Sequence, residues 1–194
     1  MNASALIACS AKAFERRYLA DPDPWNFATS AYEQSRYRLT LACLSRTRYN
    51  RAFEPGCSVG VLTEKLAERC DEVVATDVSP TALSRARQRC ERFNHVQFLL
   101  SSVDAQLPEG CFDLIVFSEI GYYFTRLVLD LIAQRLPRSL TLGGELIAVH
   151  WRGHSDDHVL RGEEVHAALR TRLALKPMVS QQHEGFEIDG WIKA

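Results

Sequence analysis

Five short apolar runs are spaced along the chain at 51–54, 72–77, 96–103, 112–120 and 145–151, each rich in Val, Ile, Leu and Phe. Runs of this length without in-out alternation predict strands buried on both faces of a sheet. Between them, "VLTEKLAERC", "SPTALSRARQRCERF" and "TRLVLDLIAQRLP" repeat apolar residues every three to four positions, which predicts amphipathic helices. Ser79 before Pro80 is a strong helix start, because serine caps and proline suits the first helical position. Alternation of strand and helix with no internal repeat predicts an α/β fold with a doubly wound, mostly parallel sheet. The tail departs from this pattern: "PMVSQQH" and "FEIDGWIK", joined through "EG", predict a hairpin and hence an antiparallel element at the C-terminal end.

Ahead of the first run, "DPDPWNF" at 21–27 ends any helix begun near Phe14, since each proline removes a donor and restricts its predecessor. The next helix starts at Ser30, with Glu33 at capping-box spacing and Tyr37, Leu41 and Leu44 at helical intervals.

The 194 residues, 46% of them apolar, suit one domain. A formal charge of -1 offers no field to attract nucleic acid or anionic membrane, and points to a small, near-neutral ligand. Six cysteines are scattered without CxxC pairs or zinc-type histidine spacing, so they read as small buried residues in a reducing compartment. The N-terminal "ALIACSAKAFERRYLA" has neither the basic flank of a secretory signal nor the length of a membrane span, and a cytoplasmic protein is expected.

In a sheet of this kind, ligands bind beyond the carboxyl ends of the strands. The candidates there are 54–60, Asp77, 101–104, 118–123 and 150–152. "FEPGCSVG" has serine and not glycine at 58, and Val61 follows it where a fingerprint begun at Gly56 needs glycine, so the dinucleotide fingerprint fails, and the lysine of a P-loop is absent. Glu54 beside the glycine turn repels a pyrophosphate but favours a ligand with an ammonium and a sulfonium. Asp77 offers two acceptor oxygens to the hydroxyls of a ribose. The helix begun near Gly60 offers amides to a carboxylate. S-adenosyl-L-methionine meets all three demands.

"FEPGCSVG", "TDVSP", "FDLIVFSEIGYYF" and "GGELIAVHW", in this order and spacing, resemble the class I S-adenosylmethionine-dependent methyltransferases from residue 50 onward. "DPDPWNFATSAYEQSRYRLTLACL" with "SEIGYYF" resembles the nodulation protein S (NodS) family within them. The resemblance implies a seven-stranded Rossmann-like sheet with an antiparallel C-terminal strand, preceded by an N-terminal helical lid at 1–48. A single methyltransferase domain spans 1–194, its cofactor-binding core at 49–194. It implies N-methylation of an amino sugar, the free amine at the non-reducing end of a de-N-acetylated chitooligosaccharide.

Carried across by motif, Glu54 and Gly56 face the methionine end of the cofactor, Gly56 and Gly60 allow its close approach, Asp77 takes the ribose and Val78 lies against the adenine, with Ser58 a further cofactor-binding candidate. Ser102 and Val103 stand where many relatives carry an aspartate that reads the adenine amine, with Asp104 two residues on; Ser118 ends the fourth strand. Pro55 and Ser58 are departures inside the loop.

Glu119 and His150 are the candidate general bases; the plainer roles are a helix-capping or solvated carboxylate and a satisfied core histidine. Tyr122 and Tyr123 either stack on a sugar ring or cofactor or fill the core. Trp25 and Tyr32 come from the lid segment, and Glu33 reads as a capping partner of Ser30. "HWRGHSDDHVL" reads as a polar substrate-facing loop; its histidines lack metal-ligand spacing and methyl transfer needs no metal. Arg85, Arg87, Arg89 and Arg92 read as a solvated helix face. Alternatives are an O- or N-methyltransferase of another small metabolite, a non-catalytic S-adenosylmethionine-binding protein, and a nicotinamide-dependent oxidoreductase.

Overall fold

A computed structural model describes residues 10–194. The apolar patch and Cys9 near the N-terminus lie outside the described residues. Seven strands form one sheet in the order β3-β2-β1-β4-β5-β7-β6. Only β7 runs against the others, so the mostly parallel sheet with an antiparallel C-terminal strand is observed. The chain divides into two compact units, 11–108 and 109–194.

The first unit holds α1 (Ala11–Ala20), α2 (Ala31–Ala42), β1 (Tyr49–Pro55), α3 (Val61–Ala67), β2 (Cys70–Asp77), α4 (Pro80–Arg89) and β3 (Val96–Leu100). β1, β2 and β3 are parallel neighbours. Ala52, Phe53, Val73, Val74 and Ala75 are buried, as continuous apolar runs require. β3 differs from expectation. It is shorter than 96–103 and lies at the sheet edge, where Leu100 is exposed, so it is not buried on both faces. α4 starts as predicted, with Ser79 Oγ accepting from Ala82 N at 3.0 Å and Pro80 in the first turn.

α2 starts at Ser30, whose hydroxyl accepts from Glu33 N at 3.5 Å. The reciprocal half of the expected box is replaced: Ser30 N donates to Asn26 O at 2.9 Å, and the Glu33 carboxylate pairs with Arg36 on the next turn.

The second unit holds β4 (Phe112–Ser118), a 3-10 turn (Gly121–Tyr123), α5 (Arg126–Arg135), β5 (Leu140–Trp151), α6 (Gly162–Arg172), β6 (Lys176–Gln182) and β7 (Phe186–Ile192). The hairpin β6–β7 forms as read, and β7 inserts beside β5. β5 begins five residues before the expected 145, its early part exposed at Leu142. α6 is a helix that the periodicity does not predict. Its sequence opens without a Ser, Thr, Asp or Asn cap; instead Glu164 reaches back to accept from Arg161 N at 2.7 Å. No helix among the described residues is long and apolar enough to cross a membrane.

Candidate active site

The glycine turn of the first unit is built around two buried carboxylates. Glu54, at the end of β1, is 4% exposed and accepts from Thr63 Oγ1 at 2.6 Å. Burial pushes its carboxyl up to about 8; the Thr63 hydroxyl opposes this and the charge of Asp77 adds to it. Asp77, at the end of β2, is 7% exposed, and its two oxygens accept from Ser58 N and Ser79 N, each at 2.9 Å. Burial raises it to about 6 against the pull of the Ser79, Ser58 and Val78 amides. A carboxylate oxygen accepts more than one hydrogen bond, so a diol can still be received. Two buried acids that resist ionisation form a site suited to a cationic ligand, which restores the favourable ionised form.

The glycines have separate reasons. Gly56 has φ 74°, and its amide and that of Cys57 both donate to Thr76 O, at 2.7 and 2.9 Å. These two amides are committed to holding the turn on β2. Gly60 has φ 78°, and a Cβ there would lie 2.9 Å from the Ala86 backbone. Close packing of α3 on α4 thus accounts for Gly60, where cofactor approach was expected.

Ser58 also adopts positive φ, 52°, and its oddity in the loop now has a partner. Its hydroxyl accepts from the buried Tyr18 phenol of α1 at 2.6 Å. α1 is fixed further by Glu15, which accepts from Ser79 Oγ and Thr81 Oγ1, both at 2.5 Å. These hydroxyls hold the Glu15 carboxyl below its usual range. Arg85 donates to the carbonyls of Tyr18, Asp21 and Pro22, and Arg89 to Val59 O. The arginine run is therefore corrected: two of its members tie α4 to α1 and to the glycine loop. Tyr18 and Glu15 gave no sequence signal, since each fits an ordinary amphipathic helix.

Val78 is half-buried and Val103 buried. Ser102 donates its hydroxyl to Asp104, so the two polar groups after β3 form one unit. Trp25 packs among Phe14, Tyr18 and Phe27, with ring centroids at 6.3, 5.5 and 5.7 Å, and lies under Arg17. Tyr32 is exposed on α2, whereas Arg36, one turn on, is fully buried.

In the second unit Ser118 ends β4, half-buried, and the chain turns at Glu119 with φ 60°. Such a conformation is sparsely populated for a residue with a side chain. Glu119 Oε2 accepts from the Tyr122 hydroxyl at 2.9 Å and Oε1 from Trp151 N at 2.7 Å. The carboxylate is aimed and held by two donors. Tyr122 stacks on His158 at 3.8 Å between centroids, and Tyr123 meets His158 edge-on at 5.1 Å. Both tyrosines are buried, and the loop after β5 folds onto them, with Val159 N and Leu160 N donating to Tyr122 O.

His150 is fully buried. Its Nε2 accepts from Gly121 N at 3.0 Å and its Nδ1 lies 3.2 Å from His166 Nε2. His166 Nδ1 lies 2.7 Å from Asp189 Oδ2. With both ring nitrogens engaged, His150 is built to position the turn and not to take a proton from a substrate. Burial alone would raise the Asp189 carboxyl, but hydrogen bonds from His166 and Ser180 outweigh it and lower its pKa. His166, Glu187 and Asp189 bring ligand atoms within 4.8 Å of one another, the spacing of a metal set. Arg170 already pairs with both carboxylates, so a cation stands there as part of the fold.

A turn that presents two buried carboxylates repels a pyrophosphate and favours a cationic nucleoside. On this strand order it belongs to a class I S-adenosylmethionine-dependent methyltransferase. The sequence pattern of the family "Nodulation protein S (NodS)" matches residues 8–138. The chain belongs to the NodS family. It is 34% identical to Nodulation protein S of Sinorhizobium fredii (strain NBRC 101917 / NGR234) over 81% of this chain and 75% of that protein. Nodulation protein S of Rhizobium tropici is 35% identical over 68% of this chain, and the match spans 56% of that relative. The crystal structure of N-methyltransferase NodS from Bradyrhizobium japonicum WM9, in complex with S-adenosyl-l-homocysteine, has a TM-score of 0.83 at 27% identity, covering 94% of this chain and 98% of that one.

Proposed function

We propose that the chain transfers a methyl group from S-adenosylmethionine to the nitrogen of an amino sugar, such as the free amine of a de-N-acetylated chitooligosaccharide. The observation that carries this reading is the Glu119 carboxylate, turned out of β4 at positive φ and held by Tyr122 and Trp151, in a chain of the NodS family. Glu54 receives the cationic methionine end and Asp77 the ribose hydroxyls, with Val78, Ser102 and Val103 around the adenine. Bound S-adenosylmethionine supplies a methyl carbon on a cationic sulfur.

The acceptor amine attacks with its nitrogen lone pair; the new N–C bond forms as the S–C bond breaks and its electron pair returns to sulfur. The amine proton passes to a Glu119 carboxylate oxygen and then to water. An amine is nucleophilic only when neutral, so a carboxylate beside it serves as general base. Alignment supplies the rest of the acceleration. Tyr122 keeps Glu119 oriented, and Tyr123 beside it is an aromatic face on which a sugar ring can stack; Trp25 and Tyr32 of the lid segment are further candidates for acceptor contact.

The test is release of S-adenosylhomocysteine with chitotetraose carrying one free terminal amine, beside the fully N-acetylated tetramer. Turnover confined to the free amine is expected. Turnover with the acetylated oligomer, or with neither, overturns the reading.

A further inference from the structure

His150, His166 and Asp189 form a buried line drawn from β5, α6 and β7, ending on a backbone amide. A backbone amide only donates. The hydrogen bond from Gly121 therefore makes His150 Nε2 an unprotonated acceptor and leaves the ring proton on Nδ1. That proton faces His166 Nε2, so His166 carries its own proton on Nδ1, against Asp189 Oδ2. Each proton along the line has one place, fixed at one end by a carboxylate and at the other by the main chain. Gly121 is equally constrained, since a Cβ there would lie 2.5 Å from Val165 Cγ1 and 2.7 Å from His150 Nε2. The turn it opens carries Tyr122, whose hydroxyl donates to Glu119. Arg170 pairs with Asp189, so the buried carboxylate is compensated.

We propose that His166 and Asp189 are positioning residues for methyl transfer: they hold His150 in the Nδ1-protonated form that grips the Gly121 amide, and through that turn they aim the Tyr122–Glu119 pair. This inference rests on the reading of Glu119 as the acceptor's base. His150 is the middle of the relay, and its burial is the reason it can set geometry without meeting the acceptor.

Nitrogen spectra of the full chain with labelled histidine test the relay without any acceptor. Both His150 and His166 are expected as neutral Nδ1–H tautomers, and an Nε2–H tautomer at His150 overturns the proposal. His166→Phe removes the acceptor for His150 Nδ1–H, whereas His166→Gln restores one with its amide oxygen. The Phe variant is expected to lose about tenfold or more in kcat with S-adenosylhomocysteine affinity within about twofold of wild type, and the Gln variant to recover most of that loss. Equal kcat in wild type and His166→Phe, or equal losses in both variants, overturns it. If the Phe variant does not fold, His166→Gln must retain near-wild-type kcat; a tenfold loss there counts against the relay. Absence of turnover by wild type with the free-amine tetramer defeats the functional reading alone. The relay is then judged by the tautomers and by exchange of the Gly121 amide, expected to be slowest in wild type; equal exchange in all three proteins overturns it.

Discussion

Asp77 receives two backbone amides at 2.9 Å, from Ser58 and Ser79, and still has lone pairs to offer. If ribose hydroxyls take them, Asp77→Ala weakens S-adenosylhomocysteine binding by roughly 1 to 3 kcal/mol; unchanged affinity in a titration removes Asp77 from the site. Glu119→Gln keeps the shape and one acceptor oxygen but cannot hold a proton as a base. It is expected to lower kcat by about a hundredfold or more while leaving cofactor affinity near wild type; equal kcat leaves the proposed base without a role. At this scale the positions of Glu54, Asp77 and Glu119 at strand ends are legible in the sequence, because a carboxylate closing an apolar run beside a glycine or turn residue stands out. Ser58 stands out inside the loop, but the sequence shows no reason for it. Its partner Tyr18 lies 40 positions away, and no local pattern predicts such a bond.

Elements show the same division. Strand runs and helix periodicity gave the sheet and its antiparallel end, since burial on two faces writes a continuous apolar signature. α6 is not legible because it starts without a Ser, Thr, Asp or Asn cap and because glycine, histidine and alanine dilute its buried face, Gly162, Val165, His166, Ala168 and Leu169. The docking of α1 on α4 was hidden for a related reason: the arginines and Glu15 look solvated until the carbonyls and hydroxyls they meet are known. The Tyr18–Ser58 bond joins α1 to the glycine loop and is open to a double-mutant cycle. Tyr18→Phe and Ser58→Ala are each expected to cost about 1 to 2 kcal/mol of unfolding free energy, and together clearly less than the sum of the two. Strict additivity would mean that the two hydroxyls do not interact.

For the whole molecule, the buried carboxylates make stability depend on pH. Glu54 is raised to about 8 from an ordinary value of 4.5, so the folded protein binds this proton more tightly than the unfolded chain. Its contribution is fully present below about pH 4.5 and is lost as pH rises through about 8. Asp77 adds a smaller effect of the same sign between 3.8 and about 6. Ligand-free Glu54→Gln, which keeps a neutral side chain at every pH, should therefore gain thermal stability over wild type progressively from pH 5 to pH 8.5. A difference in melting temperature that stays flat over this range would contradict the burial of an ionisable Glu54.

The chemistry itself is tested most directly by locating the transferred methyl group. The chain is incubated with S-adenosylmethionine and the chitotetraose bearing one free terminal amine, and the product is fragmented in tandem mass spectrometry. The account predicts one added methyl on the nitrogen of the non-reducing sugar. A methyl group on a hydroxyl oxygen, or on any other sugar of the chain, would contradict it.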